Sequence, residues 1–459
     1  MKMNCRSSVA ATAWRWILLV GFAVIAALNL PGHLAFDSTT ALWEGRHHAS
    51  MSWGPRMYSA ILGFFDGIVP GTGLFAVFDL AVIAFAWLTL PKLRPRMAWS
   101  GPIALALWFL TPQVLIYPGI VLRDVLFANL TVAAFVALAL AARFWSRPTL
   151  RWLLLAVMVS CLAFGALVRQ NGGVVIVPAA LALGWIAAQG RWGRGLAWGV
   201  GGLVATLVLA VALSAANPVR VSPVRAPDYG PQLLAHYDIM AALAEDPARS
   251  MPVLEADRPD QLKLLRANAR SVYTPTRIDT LRQSPTVGPA LWRFRPTAMF
   301  GQWKALAISD PFGYARRRLE VFRWVFLTPQ IDLCVPIILG VSGLPDVERQ
   351  LGLIDGHWQQ DPKLYAYTSR WFATPVYSHL TYACLAALVA GFLLIRRSSS
   401  DIAMAALMIG VLGFTATFLF ISVACDYRYL YALDLAAITG VLYIAIDPSF
   451  RREKAGGAP

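Results

Sequence analysis

The sequence predicts an all-α integral membrane protein of about ten transmembrane helices, with an α-rich extracytoplasmic domain between spans seven and eight. Three observations predict it. Of 459 residues, 58% are hydrophobic and only 14% charged, where a soluble domain is about 45–50% apolar. Mean hydropathy is +0.57. The apolar residues also gather into runs long enough to cross about 30 Å of hydrocarbon, and the connections between them alternate in charge. A net charge of +15 would suggest nucleic acid as the partner of a soluble protein. Here the basic residues sort first by side of the membrane, and no nucleic-acid partner is expected.

Taken in order, the spans fall near 14–31, 74–90, 99–117, 124–142, 152–168, 172–190, 196–215, 379–395, 402–423 and 430–446. The first follows basic residues and lacks a small-x-small cleavage site, so it reads as a retained span and not a removed signal peptide. The connections "MKMNCR", "PKLRPR", "RFWSRPTLR", "RWGR", "IRRSSS" and "FRREK" are short and basic and fall on every second junction. The positive-inside rule puts them and both termini in the cytoplasm, which makes the chain a multi-pass protein of the inner (plasma) membrane. Residues 1–215 then form a transmembrane core with a first outer loop at 32–73. Residues 216–378 form the extracytoplasmic domain, and 379–459 the C-terminal transmembrane hairpins and tail.

The large outer segment is mixed and charged, with helical stretches such as "QLLAHYDIMAALAED" and "PDQLKLLRANARSV", and reads as a folded domain. Within it "VFRWVFLTPQIDLCVPIILGVSG" is nearly apolar enough to span. Counting it as a span would put "IRRSSS" on the wrong side, so it reads as an interfacial or re-entrant element. All six histidines (His33, His47, His48, His236, His357, His379) fall at or beyond the outer surface. The five cysteines are scattered without CxxC or CxxH spacing, which argues against a disulfide scaffold or a zinc site.

The outer side also collects the unusual polar residues. Asp37 lies just past the first span, with Glu44 and His47-His48 behind it. In "YPGIVLRDVLFANLTVAAFVALALAA" the pair Arg123-Asp124 sits at the mouth of the fourth span. "LVRQNGG" puts Arg169 at the end of the fifth, "VACDYRYLYALD" puts Asp426, Arg428 and Tyr429 between the last two, and "AHYDI" puts Asp238 early in the large loop. A charge inside a bilayer costs roughly 2.5–3.5 kcal/mol on insertion scales. Several at one depth therefore suggest a shared polar cavity. Arginine binds phosphate bidentately, and a carboxylate can accept a proton from a hydroxyl or hold a metal. An acid beside arginines at the outer leaflet thus suits transfer chemistry on a lipid-phosphate substrate.

In four motifs, "FDSTTALWEG", "LRDVLFA", "VRQNG" and "CDYRYLY", the chain resembles the GT-C superfamily of polytopic glycosyltransferases, which includes protein O-mannosyltransferases and lipid A aminoarabinose transferases. The resemblance covers the membrane part. It implies an inverting glycosyltransferase of the cell envelope that moves a sugar from a polyprenyl-phosphate carrier to a lipid, glycan or protein acceptor on the extracytoplasmic side. By that resemblance Asp37 is the catalytic base or first acidic ligand and Asp124 the second acid. Arg428, Arg169 and Arg123 neutralise the donor phosphate, with Tyr429, Glu44 and Asp238 as further substrate contacts. No cofactor is required by it; a divalent metal, magnesium or manganese, at Asp37 and Asp124 stays open. The adjacent-acid pair of some relatives is here Asp-Ser. A polymerase or ligase of pyrophosphate-linked glycans, which leans on arginines, and a lipid-linked sugar transporter or flippase stay open as alternatives.

Each residue also has a plainer reading. Asp37 could simply cap a helix starting at Ser38. His47 and His48, adjacent on a helix, point about 100° apart and cannot readily share an ion. Asp238 suits a helix start, the run Arg316-Arg317-Arg318 a solvated or head-group-facing surface, and "WGPRMYSAILGFF" an interfacial helix. Asp66 and Asp79 have no evident partner, and the sequon at Asn129 lies within a span.

Overall fold

The computed structural model describes residues 5–52, 54–221, 229–353 and 359–450. His357 and most of the two basic termini, among the features singled out above, lie outside the described residues. The chain divides into two compact units. The first comprises Met1–Val221, Ile337–Thr415 and Leu430–Pro459; the second comprises Ser222–Pro336 and Ala416–Tyr429. The fold is all-α. Among the described residues the only sheet is a parallel pair of two-residue strands, Ala49–Ser50 with Arg220–Val221.

Eight helices among the described residues are long and apolar enough to span a membrane. The third expected span is instead a bent pair, Ser100–Phe109 and Pro112–Gly119, meeting at 80°. Pro112 cannot continue the preceding helix and restrains Thr111 to extended backbone, so the break is written locally. The sixth, Gly172–Ala188, is apolar but shorter than a full span. Each of the ten expected segments thus corresponds to apolar helix, and two of them are not simple crossings.

The Arg123–Arg143 helix is encased almost throughout by its neighbours, packing against Pro148–Val168, Gly73–Thr89 and Tyr431–Ile446. This is why it tolerates Arg123, Asp124 and Asn129: none of them meets lipid. Asn129 Nδ2 donates to Asp79 Oδ1 at 2.8 Å across the helix pair, which supplies the partner that Asp79 lacked in the sequence. Trp14 Nε1 donates to the Trp87 carbonyl and Trp87 Nε1 to Thr439 Oγ1, joining three spans by hydrogen bonds where no water competes. At the basic-connection end, Arg94, Arg396, Asp401, Tyr443 and Asp447 close a buried network. Arg396 Nη2 lies 2.6 Å from Asp401 Oδ1, Tyr443 donates to the same oxygen at 2.8 Å, and Arg94 reaches Asp447 at 3.0 Å. Some charges that fix orientation in the sequence are therefore spent on packing.

The second unit is a helical domain with its own core, in which Leu233, Tyr237, Met240, Leu265, Leu291, Met299 and Val321 are buried together. The two stretches read as helices lie in Tyr229–Glu245 and Pro259–Val272. Its boundary falls at Pro336, well before 378, because the chain beyond it pairs with the first unit: Leu34 N–H donates to the Gly340 carbonyl and Ser342 N–H to the Leu34 carbonyl. The nearly apolar stretch is not a span: its helix stops at Leu327, followed by left-handed Thr328 and a short turn at Ile331–Cys334.

Ala416–Tyr429 belongs to this unit through several bonds. Ile278 N–H donates to the Val423 carbonyl and Cys425 N–H to the Thr276 carbonyl. Cys334 and Cys425 form a disulfide, a correction to the expectation from spacing. Ninety-one residues separate them, and no local pattern could pair them. Thiol titration of the unfolded chain is expected to find two more thiols after reduction than before, a gain that Cys425→Ser abolishes.

The Nε2 of His236 is buried without a hydrogen-bond partner among the described residues. Burial pushes its imidazole down to about 4, against about 6.5 for an exposed histidine. Between those values the unfolded chain binds a proton that the folded domain does not, so stability is lost as pH falls through that window. Thermal scans are expected to show the domain about 2 kcal/mol less stable at pH 5 than at pH 6.5, with the slope flattened in His236→Leu.

Candidate functional site

The site in the first unit is assembled by a small parallel ladder. His33 N–H donates to the Gly119 carbonyl and Val121 N–H to the His33 carbonyl, so residues 33–34 run beside 119–121. Gly32 permits this with φ +112°, and a Cβ there would collide with Val121. A Cβ on Gly119 would likewise strike the Asn29 side chain. His33 itself is buried. Its Nδ1 accepts from Gly340 N–H at 3.1 Å while its Nε2 lies 3.1 Å from Asn29 Oδ1. With Nδ1 accepting, Nε2 carries the proton and the ring is neutral, so its 3.9 Å approach to Asp361 is not a charged pair.

Both paired segments lead directly into helices, Phe36–His47 and Arg123–Arg143. Asp37 and Asp124 therefore occupy the first turns of two adjacent helices, where the helix dipole favours acids. Ser38 Oγ donates to the Val121 carbonyl at 2.5 Å, pinning one helix start to the other. Asp37 does not cap its helix, whose N-cap position is Ala35.

Arg169 arrives from a third element. It sits at the end of the Pro148–Val168 helix, where the chain turns through Gly172. A Cβ at Gly172 would meet the Gly165 carbonyl and the Phe127 ring, so only glycine lets this turn close against the central helix. The outcome is two ion pairs: Arg169 Nη1 with Asp124 Oδ1, and Arg123 Nη2 with Asp37 Oδ2 at 3.7 Å. Asp124 and both arginines are buried, whereas the Asp37 side chain is 34% exposed. Asp37 is thus the accessible acid of the two.

Tyr58 belongs to the same neighbourhood, and the sequence reading missed it. Its helix, Arg56–Ile68, is amphipathic as expected and packs one face against Phe36–His47. Gly45 and Gly63 let the two backbones touch, since a Cβ on either would overlap the other helix. The Tyr58 hydroxyl is buried with no hydrogen-bond partner among the described residues. Burial, then the nearby Asp79 charge, hold its phenol well above the ordinary tyrosine range despite Arg123, so it remains a neutral donor. The tyrosine stood in an aromatic run, and only the packing of the two helices reveals its polar surroundings.

Glu44 does not join the pairs. It is fully buried, and its carboxylate accepts from Met51 N–H at 2.8 Å, Ser52 N–H at 2.5 Å and Ser59 Oγ at 2.7 Å. It folds the loop after His47 back onto its own helix. Asp66 likewise serves the loop: against the opposing effect of burial, Arg46 and the Gly71 N–H hold it below the usual carboxylate range. His47 stacks on Trp43 and its Nδ1 lies 2.9 Å from that residue's carbonyl, while His48 is the left-handed residue that ends the helix.

Arg428, Tyr429 and Asp238 lie in the second unit. Arg428 pairs with Asp426 two residues before it at 3.1 Å and stands over the Tyr429 ring at 5.4 Å; Asp426 also faces Arg277 at 3.7 Å. Asp238 is a core acid, not a substrate contact. It accepts from Trp303 Nε1 at 2.8 Å, Tyr314 at 3.0 Å and Arg318 Nη1 at 3.0 Å. Arg318 is correspondingly buried, which corrects its reading as a surface charge, and Arg317 pairs with Glu245 and Asp310. Only Arg316 of the three is broadly exposed.

The donor set was chosen by charge balance. Asp37 and Asp124 are each neutralised by a guanidinium, and among the described residues no three His, Cys, Asp or Glu side chains stand close enough to hold an ion. A dication would compete with the two arginines for these carboxylates. A guanidinium carries five donors, more than one carboxylate uses, so each arginine can serve a phosphate as well.

No protein-family model and no curated protein matches the chain. Three solved structures of an Archaeoglobus fulgidus oligosaccharyltransferase resemble it. The form tethered to an acceptor peptide containing the NVT sequon has a TM-score of 0.44 at 13% identity, covering 94% of this chain and 49% of that one. The apo form has a TM-score of 0.40 at 14% identity. AglB in complex with an inhibitory peptide and a dolichol-phosphate has 0.42 at 14% identity. The chain spans about half the length of these neighbours, covering 50% of the last.

Glu44 and Asp37 should separate cleanly. Glu44→Ala leaves two N–H groups and a hydroxyl without their acceptor and is expected to cost about 3 kcal/mol, lowering the melting temperature in detergent. Asp37→Asn, at a partly exposed site, should melt as wild type does.

Proposed function

We propose that the chain is an inverting glycosyltransferase of the inner membrane. It would transfer a sugar from a polyprenyl-phosphate carrier to an acceptor hydroxyl on the extracytoplasmic side. The observation that carries this reading is the arrangement of one accessible carboxylate, Asp37, against buried Arg123, beside the buried pair Asp124–Arg169. Asp37 takes the proton from the acceptor hydroxyl. The hydroxyl oxygen bonds to the anomeric carbon as the carbon–oxygen bond to phosphate breaks, and the departing phosphate keeps the electron pair. Arg123 and Arg169 meet the charge that develops on it, in surroundings largely closed to water. Asp124 holds Arg169 in position. The disulfide supports the sidedness, since Cys334 and Cys425 both fall in segments assigned to the outer, oxidising side.

The test measures polyprenyl phosphate released from a panel of polyprenyl-phosphate sugars by purified protein in nanodiscs, with membrane extract supplying acceptor. Wild type is expected to release it, and Asp37→Asn to fall by about 100-fold or more. Parallel reactions with EDTA read whether the carboxylates exchange arginine for a metal. Retained release by Asp37→Asn, with loss only on replacing the arginines, would favour a polymerase or ligase of pyrophosphate-linked glycans.

A further inference from the structure

The helix Pro311–Leu327 in the second unit has two unlike sides. Val321 and Val325 are buried, and Val321 belongs to the domain core. Opposite them the sequence leaves an apolar stripe in the open: Phe312 is 89% and Leu319 58% exposed. Phe322 and Phe326 extend it at helical spacing, their rings stacked at 5.4 Å. Beside the stripe run Arg316 and Arg323, both mostly exposed, paired with Glu245 and Glu320. A soluble domain rarely displays an apolar patch of this kind without a partner for it.

The same helix is tied to a membrane helix. Arg318 donates through Nε to the Leu419 carbonyl at 3.0 Å and through Nη2 to the Ser422 carbonyl at 2.8 Å. Leu419 is in the last turn of Ser399–Ile421, a helix long and apolar enough to span. The last turn of a span lies at the bilayer interface. Phe420 of that turn is 64% exposed, as a lipid-facing side chain would be. One bond to this turn and one to the residue just after it hold the middle of the Pro311–Leu327 helix at the same height.

We propose that Pro311–Leu327 is a membrane-surface helix. Phe312, Leu319, Phe322 and Phe326 enter the acyl boundary of the outer leaflet, and Arg316 and Arg323 lie at the level of the lipid phosphates. The stripe then meets acyl chains, and the basic edge matches anionic head groups. The inference is independent of the transferase reading, since it uses no residue of the Asp37 site.

The test uses the full chain in nanodiscs of phosphatidylcholine and phosphatidylglycerol. Cys5, Cys161 and Cys384 are replaced by serine, the disulfide is kept, and one spin label is placed at Phe312, Leu319 or Lys263. Labels at 312 and 319 are expected to be more accessible to oxygen than to a water-soluble nickel chelate, and the label at the exposed Lys263 the reverse. Chelate accessibility at 312 and 319 equal to that at 263 would overturn the proposal. So would dipolar broadening at 312 or 319 on raising the number of copies per disc, which would mean that a second copy covers the stripe.

Discussion

The parallel pairing of residues 33–34 with 119–121 is the constraint on which the rest of the first unit depends. It costs the chain a glycine at 32 and another at 119, and it requires a neutral His33 bonded to both Asn29 and Gly340. In return two helices begin side by side, each with an acid in its first turn. Had the ladder slipped by a residue, one helix start would move by about 3.3 Å along the other and Asp37 and Arg123 would no longer face each other. The third contributor, Arg169, is fixed by an equally local device, a glycine turn packed on Phe127.

Charge is handled differently at the two ends of the spans. At the basic-connection end, Arg94, Arg396 and Asp401 are buried; Tyr443 donates to Asp401, and the Asp447 carbonyl accepts from Arg396. That end is closed, and its charges hold helices together. At the other end the pairs are not equally buried: Asp124 and Arg169 are enclosed, while Asp37 keeps a third of its surface. An ion pair with one accessible member can exchange partners when a substrate arrives, whereas a fully enclosed network cannot do so without unfolding around it.

In the second unit one buried arginine ties together segments far apart in the sequence. Arg318 bonds backbone carbonyls at the end of Ser399–Ile421 while its other nitrogen meets Asp238. A buried guanidinium satisfies three acceptors at once because its donors diverge in a plane, which lysine could not reproduce. The disulfide to Cys425 and the bonds of Thr276 and Ile278 fasten the following residues to the same domain. The chain of the tyrosine-rich hairpin therefore belongs to this domain and not to the helices on either side of it.

The sequence by itself determined the spans and the convergence of Asp37, Asp124 and Arg169. Hydropathy over some 20 residues is a local property, and once the spans are drawn, topology alone decides which loops share a side. The break at Pro112 was not read from hydropathy, although proline acts on its own helix, because both halves of that segment are apolar. Only the tertiary structure decided which acids stay accessible. Glu44 and Asp238 carry the same charge as Asp37, yet hydrogen bonds from Ser59 in one case, and from Trp303 and Arg318 in the other, turn them inward. Those partners lie 15, 65 and 80 residues away, and no periodicity carries information over such separations. The disulfide, the polar surroundings of Tyr58 and the inward face of Arg318 are of the same kind. A side chain's partners are set by which elements meet in space, and that is settled by packing, not by the residues beside it in the chain.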